Sequence, residues 1–184
     1  MVSLTSRECA VLTESRETRA ASIEADVERV YQETRGAVCA YVLYLGVPSA
    51  QAPEVTQEVY LRLYQTMRKG EQIVNLRAWL FRVAHNLGLN VRSREKSFRA
   101  VSLDWERFTF LSPESPEKSM LNREKMRLVQ EAIESLSPQQ RNCLYLRSEG
   151  LRYREIADVM GVSSSTVNEF LRRAITRLAG VVNG

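Results

Sequence analysis

Three cysteines, one histidine, five prolines and eight glycines in 184 residues leave several chemistries without material. Cys9, Cys39 and Cys143 are odd in number and far apart, no CxxC pair occurs, and His85 stands near none of them. Neither a disulfide framework nor a zinc site is therefore expected, and Cys39 and Cys143 are read as core positions. No run of eighteen apolar residues occurs, so a transmembrane helix is not expected. The lead "MVSLTSRECAVLTESRETRA" lacks the continuous apolar core of a secretory signal, which makes the cytoplasm, without membrane insertion, the default location. No Ser-His-Asp set, paired-carboxylate site or phosphate-cradling glycine loop is visible, so catalysis, a cofactor and a bound metal are not expected. Strand-like alternation is almost absent.

What is present is helical period. After a lead over residues 1–22, expected to be poorly ordered, the first helix is read from near Asp26 to Leu45, with Val30, Ala37, Val38, Tyr41 and Leu45 as its buried stripe. A second runs from about Pro53 to Met67 through Val55, Val59 and Leu63, and a third from about Leu76 to Arg94. Residues 97–120 carry prolines and serines without sustained period and read as a flexible linker, longer than a compact domain tolerates as a loop. Periodicity resumes at Leu121, and Ser137-Pro138-Gln139-Gln140 offers an N-cap, a first-turn proline and a capping-box glutamine. The expected architecture is all-α: two small helical domains, 23–96 and 121–184, joined by that linker.

The segment "EIADVMGVSSSTVNEFLRRA", residues 155–174, fits a helix-turn-helix. Ala157 is small where two helices approach, Gly161 tolerates the turn, and Ile156, Met160, Val162, Val167 and Phe170 fall at the sites that need burial. Ser163 is the expected N-cap of the second helix. Its outer face offers Ser164, Ser165, Thr166, Asn168, Glu169, Arg172 and Arg173. Hydroxyls at a helix start suit phosphate, Asn168 can bond adenine, Glu169 can accept from cytosine, and the arginines can reach guanine or phosphate. Arg177 is read as solvated or a phosphate contact only.

Charge is uneven. Between Arg62 and Arg99 nine Lys/Arg stand against Glu71 and Glu95, a net of +7 in a chain of +4 overall. A polyanion-facing surface follows. The helix "LRAWLFRVAHNLGLNVRSR", residues 76–94, sets aromatics (Trp79, Phe81), amides and arginines beside this excess, a combination suited to single-stranded nucleic acid. His85, without a metal-binding partner in sequence, is read as a packing or phosphate-contact residue.

"PEVTQEVYLRLY" followed by that helix resembles region 2 of the extracytoplasmic-function (ECF) sigma factors of bacterial RNA polymerase, and "LSPQQRNCLYLRSEGLRYREIADVMGVSSSTVNEFLRRAITRL" resembles their region 4. The resemblance implies a non-enzymatic subunit that gives core polymerase its promoter choice and opens the DNA. It implies that Glu54, Gln57, Glu58, Tyr60 and Leu61 dock on the clamp helices of the β′ subunit, and that the second domain holds the β flap. It implies that Arg68, Lys69, Asn75, Arg77, Arg82, His85, Asn86, Asn90 and Arg94 contact and melt the −10 element, while the helix-turn-helix reads the −35 element as duplex. An anti-sigma factor is implied as a further partner. Two departures stand out: an acidic residue is common in the family where this chain has Asn90, and Thr166-Val167-Asn168-Glu169-Phe170 stands where the family often has Thr-Val-Lys-Ser-Arg. The second loses two cations and gains an anion, so an unusual −35 preference is expected. The competing reading is a self-sufficient helix-turn-helix regulator that binds a palindromic duplex as a dimer.

Overall fold

The computed structural model describes residues 6–94 and 127–182, which form helices and no strand among the described residues. The chain divides into two compact units, Met1–Arg99 and Ala100–Gly184. The expected linker, 97–120, and the helix start at Leu121 lie outside the described residues.

In the first unit α1 (Ser6–Tyr44), α2 (Ala52–Arg68) and α3 (Leu76–Arg94) pack pairwise against one another. Val38, Tyr41, Val42 and Leu45 of the α1 end, Val55, Val59 and Leu63 of α2, and Leu80, Phe81 and Ala84 of α3 are buried and make the core. Each such fully buried side chain contributes about 1.5–3 kcal/mol relative to exposure. Ala37, expected in the buried stripe, is only half-buried, as are Met67 and Trp79. Pro53 occupies the first turn of α2, where a missing N–H costs nothing. Gly88 sets the closest approach: a Cβ there would stand 2.8 Å from Leu45 Cδ1.

Of the lead over residues 1–22, residues 6–22 belong to α1, which is continuous from Ser6 through 39 residues, about 58 Å at the helical rise. Its neighbours α2 and α3 have 17 and 19 residues, so α1 extends well past the length they can cover.

The second unit contains α4 (residues 127–134), α5 (Pro138–Ser148), α6 (Tyr153–Met160) and α7 (Ser164–Val182). The expected capping box forms: Gln140 N–H donates to Ser137 Oγ at 3.2 Å and Ser137 N–H to Gln140 Oε1 at 3.0 Å. Leu146, Leu151, Ile156, Val167, Leu171 and Ala174 are buried between α5, α6 and α7. Met160, Val162 and Phe170 are half-buried rather than enclosed. Cys143 is fully buried, its Sγ 3.3 Å from Met160 Sδ, and burial pushes its thiol up to about 11. It is a packing residue rather than a reactive thiolate. Cys39 is half-buried.

Between α6 and α7 the chain reverses at Gly161, which adopts φ 66°, ψ 34°. Val162 N–H then donates to Ala157 O at 3.1 Å, and Thr166 N–H to Ser163 Oγ at 3.1 Å, so the expected glycine turn and serine cap both form. Substitution Gly161→Ala is expected to destabilise the fold by about 1–2 kcal/mol, the cost of a Cβ in the left-handed region, with Gly161→Asn milder. Urea unfolding of the full chain, followed by circular dichroism, checks this.

Candidate nucleic-acid interface

On α7 the inward row is Val167, Leu171 and Ala174, which turns Ser164, Ser165, Asn168, Arg172 and Arg173 outward, with Thr166 and Glu169 half-exposed. Ser163 Oγ lies 2.8 Å from both Ser165 Oγ and Thr166 Oγ1, so the hydroxyls at the helix start are tied into one small network. The sequence assigned Glu169 to cytosine. In the structure its carboxylate accepts instead from Arg172 Nε at 3.1 Å, Arg172 Nη2 at 3.0 Å and Arg173 Nε at 2.6 Å. Hydrogen bonds from Arg172 and Arg173, with their charges adding, hold the Glu169 carboxyl down at about 2. The two arginines that the sequence sends to DNA are thus drawn back along their own helix. Arg177 donates to Ser135 O at 3.3 Å, a structural use that the sequence did not indicate.

On α3 the structure divides the expected contacts. Arg82, Asn86 and Asn90 are exposed and recur at intervals of four residues, so they form one polar row. A helix turns by about 40° over each four-residue step, and Arg94 has rotated off that row. It lines instead a groove of about 480 Å³ with Glu54, Glu58, Leu61, Leu87 and Val91. Arg77 lies over the Phe81 ring at 5.6 Å, and Arg68 over Tyr64 at 5.7 Å, both exposed beside the basic loop with Lys69. Asn75 is the start cap of α3: Ala78 N–H donates to its Oδ1 at 3.0 Å, so its exposed side chain already serves the backbone.

His85 leaves the list of direct contacts. It is 6% exposed, faces α1 and lies 2.8 Å from Tyr41 Oη through Nδ1. Burial holds its imidazole below the ordinary value, favouring the neutral ring. The bond joins α1 to α3 across the core. Residues with no signal in the sequence also come into view. Val74, in the loop before Asn75, is completely exposed, a rare setting for an aliphatic side chain.

On α2, Glu54, Gln57 and Leu61 are exposed, and Glu58 pairs with Arg62 at 2.8 Å. Tyr60 is a correction: it is 5% exposed, its hydroxyl lies 2.9 Å from Thr34 Oγ1 and its ring meets Tyr31 edge-on at 4.9 Å. Leu61 stands between two grooves, the one beside α3 and a second of about 620 Å³ toward α1, lined in part by Val27, Tyr31 and Tyr64. These flanking residues escape a periodicity search because they sit beside the buried stripe rather than in it.

Two consequences can be measured. Glu169→Gln is expected to release Arg172 and Arg173, strengthening binding to arbitrary duplex DNA and steepening its salt dependence, as gel-shift titrations at several salt concentrations would show. The Glu169 carboxylate is depressed, so its pairing is present above the ordinary carboxyl range and is lost only as pH falls toward about 2. The effect of Glu169→Gln should therefore be constant from pH 5 to pH 8. For His85 the sign is different: above about 6.5 both folded and unfolded chains hold a neutral ring, while below it the unfolded chain takes up a proton that the buried site resists. Stability is expected to fall as pH drops below that value, and to fall less steeply in His85→Gln, read by urea midpoints.

Comparison with known proteins bears on all three surfaces. Sigma-70 region 2 matches residues 30–98 and sigma-70 region 4 matches residues 126–178. The chain is 31% identical over 137 residues to the ECF RNA polymerase sigma-E factor of Escherichia coli (strain K12), covering 70% of this chain and 72% of that protein. It is also 31% identical over 165 residues to the ECF RNA polymerase sigma factor BldN of Streptomyces coelicolor, covering 88% of this chain and 62% of that one. Among solved structures, CnrH in complex with the cytosolic domain of CnrY superposes with a TM-score of 0.58 at 18% identity, over 91% of this chain and 94% of that one. The sigma factor RpoE, in complex with the anti-sigma factor NepR from Bartonella quintana, gives 0.57 at 20% identity, over 86% and 97%. At those identities the structures speak for the fold alone. With both regions present in order, the chain belongs to the sigma-70 family as an ECF sigma factor, a transcription initiation factor that directs RNA polymerase to promoters.

Proposed function

We propose that the three surfaces divide the work of promoter recognition. The exposed α2 ridge of Glu54, Gln57 and Leu61, with apolar grooves on both sides, suits docking of a helical pair from core polymerase. The Arg82–Asn86–Asn90 row and the basic loop before it hold the −10 element as it opens, cations on phosphates and amides on unstacked bases. Helix α7 enters the major groove of the −35 element, with Asn168 outermost and Glu169 orienting its two arginines. The unit around residues 23–96 serves the first two tasks and the unit around residues 121–184 the third, which also contacts the β flap. Polymerase supplies the chemistry; this chain acts as a non-catalytic subunit in the cytoplasm, where polymerase works. No helix among the described residues is long and apolar enough to cross a membrane. An anti-sigma factor is its proposed restraint, supported by the two similar folds having been solved with CnrY and with NepR.

The observation that carries this reading is a single one. A duplex-reading helix and a separate exposed row of arginine and amides, backed by a buried aromatic face, occur in one chain of this family. A regulator that reads DNA for itself would have no use for the second.

The test combines the full chain with bacterial core polymerase free of other sigma factors, on a promoter selected by that holoenzyme from a random-sequence library. Specific transcripts are expected. Alanine at Arg82 and Asn86 together should reduce open-complex formation by about 30-fold or more, since each base or phosphate contact is worth about 1–3 kcal/mol and every 1.4 kcal/mol is about tenfold. Leu61→Asp should instead weaken core binding, measured by competition against a second sigma factor. A chain that shifts duplex DNA yet neither binds core nor yields transcripts sinks the proposal.

A further inference from the structure

The overhanging start of α1 has no place in the reading above, and one contact gives it a use. Arg19 lies on that helix, near the turn that closes α2. Its Nη2 would be 3.3 Å from a Cβ built on Gly70, so the guanidinium rests against the bare backbone of the turn. Gly70 adopts φ 78°, a left-handed conformation that side chains rarely take, and its lack of a Cβ leaves that space to the arginine. The neighbouring contacts hold the two segments together: Tyr64 donates to Glu24 Oε1 at 3.2 Å, linking α2 to α1, and the Arg68 guanidinium lies over that same Tyr64 ring. Lys69 follows, exposed, at the end of α2.

Arg19 on α1 and the consecutive pair Arg68 and Lys69 are therefore placed at one edge of the loop. Glu24, the nearest carboxylate of α1 whose side chain the structure describes, is engaged by Tyr64, and none of the ion pairs between described residues includes Arg19, Arg68 or Lys69. Glu71, exposed beside Gly70, offsets one of these charges, and the excess of like sign that remains favours a polyanion that neutralises it. The same edge leads to the completely exposed Val74 and on to α3.

We infer that Arg19, with Arg68 and Lys69, forms a phosphodiester-binding site in which the N-terminal extension of α1 clamps the promoter strand against the α2–α3 loop. This inference rests on the reading of the loop and α3 as the DNA-opening face. It makes the lead a working part of that face, contributed by a residue that neither the family match at residues 30–98 nor the motifs of the sequence include.

The test uses holoenzyme made from the full chain and core polymerase, bound to the library-selected promoter, with affinity followed against salt. Replacing Arg19 by alanine should lower the slope of log affinity against log salt by about 0.7–0.9, the loss of one phosphate contact, and weaken binding several-fold at about 0.1 M salt. Arg19→Lys, which keeps the charge, should restore the slope, and Arg19→Glu should weaken binding further. Arg82→Ala serves as the reference. If Arg82→Ala lowers the slope and Arg19→Ala does not, the clamp is refuted while the face stands. Loss of affinity in Arg19→Lys equal to that in Arg19→Ala would show a packing role and also refute it. If neither residue affects the slope, the assignment of the whole face fails and the clamp with it.

Discussion

How close α3 can come to α1 determines what the rest of the first unit is able to display. At Gly88 the distance admits no Cβ without displacing Leu45, and one turn earlier the Tyr41–His85 bond crosses the same interface inside the core. A buried polar pair of this kind has little tolerance for sliding, because a shift of one residue along the helix would part the two groups inside the core. The interface therefore fixes the rotation of α3 as well as its distance. Rotation is what faces Arg82, Asn86 and Asn90 outward as a set, while Phe81 and Ala84 fill the inside. The polar row is the visible side of a constraint set on the hidden one.

Much of this was legible in the sequence. Helix α3 begins at Leu76 and ends at Arg94 as its period indicates, and Ser137, Gly161 and Ser163 take the capping and turning roles their chemistry suggests. Those features are local: a cap or a turn is decided within four residues, so four residues suffice to read it. The features that were harder to read have the opposite property. Residues 6–22 have no apolar stripe, and helix there rests on propensity and continuity with the packed part of α1, which period alone does not report. Asn75 and His85 are residue types with two uses each, and only the fold shows that one caps α3 and the other closes the core.

Glu169 marks a subtler limit. A glutamate three and four residues before two arginines is a known stabilising pattern on a helix surface, and the pattern stands in the sequence. Reading each residue of the outer face by its preferred base hid it, since such a reading treats the side chains as independent. On α7 they compete for one another before any DNA arrives. Tyr60 teaches the same lesson on α2, where a residue taken for the docking ridge is held inward by Thr34 and Tyr31.

The paired arginines of α7 bear on how this chain shares a genome. Every duplex presents the same phosphates, and roughly 10⁶–10⁹ wrong positions compete for a reader that is attracted to charge alone. A helix whose cations are already answered by their own carboxylate leaves such positions quickly. On the proposed reading of α7, it lingers only where base edges draw Arg172 or Arg173 away from Glu169. Restraint toward the many is then the condition for residence at the few.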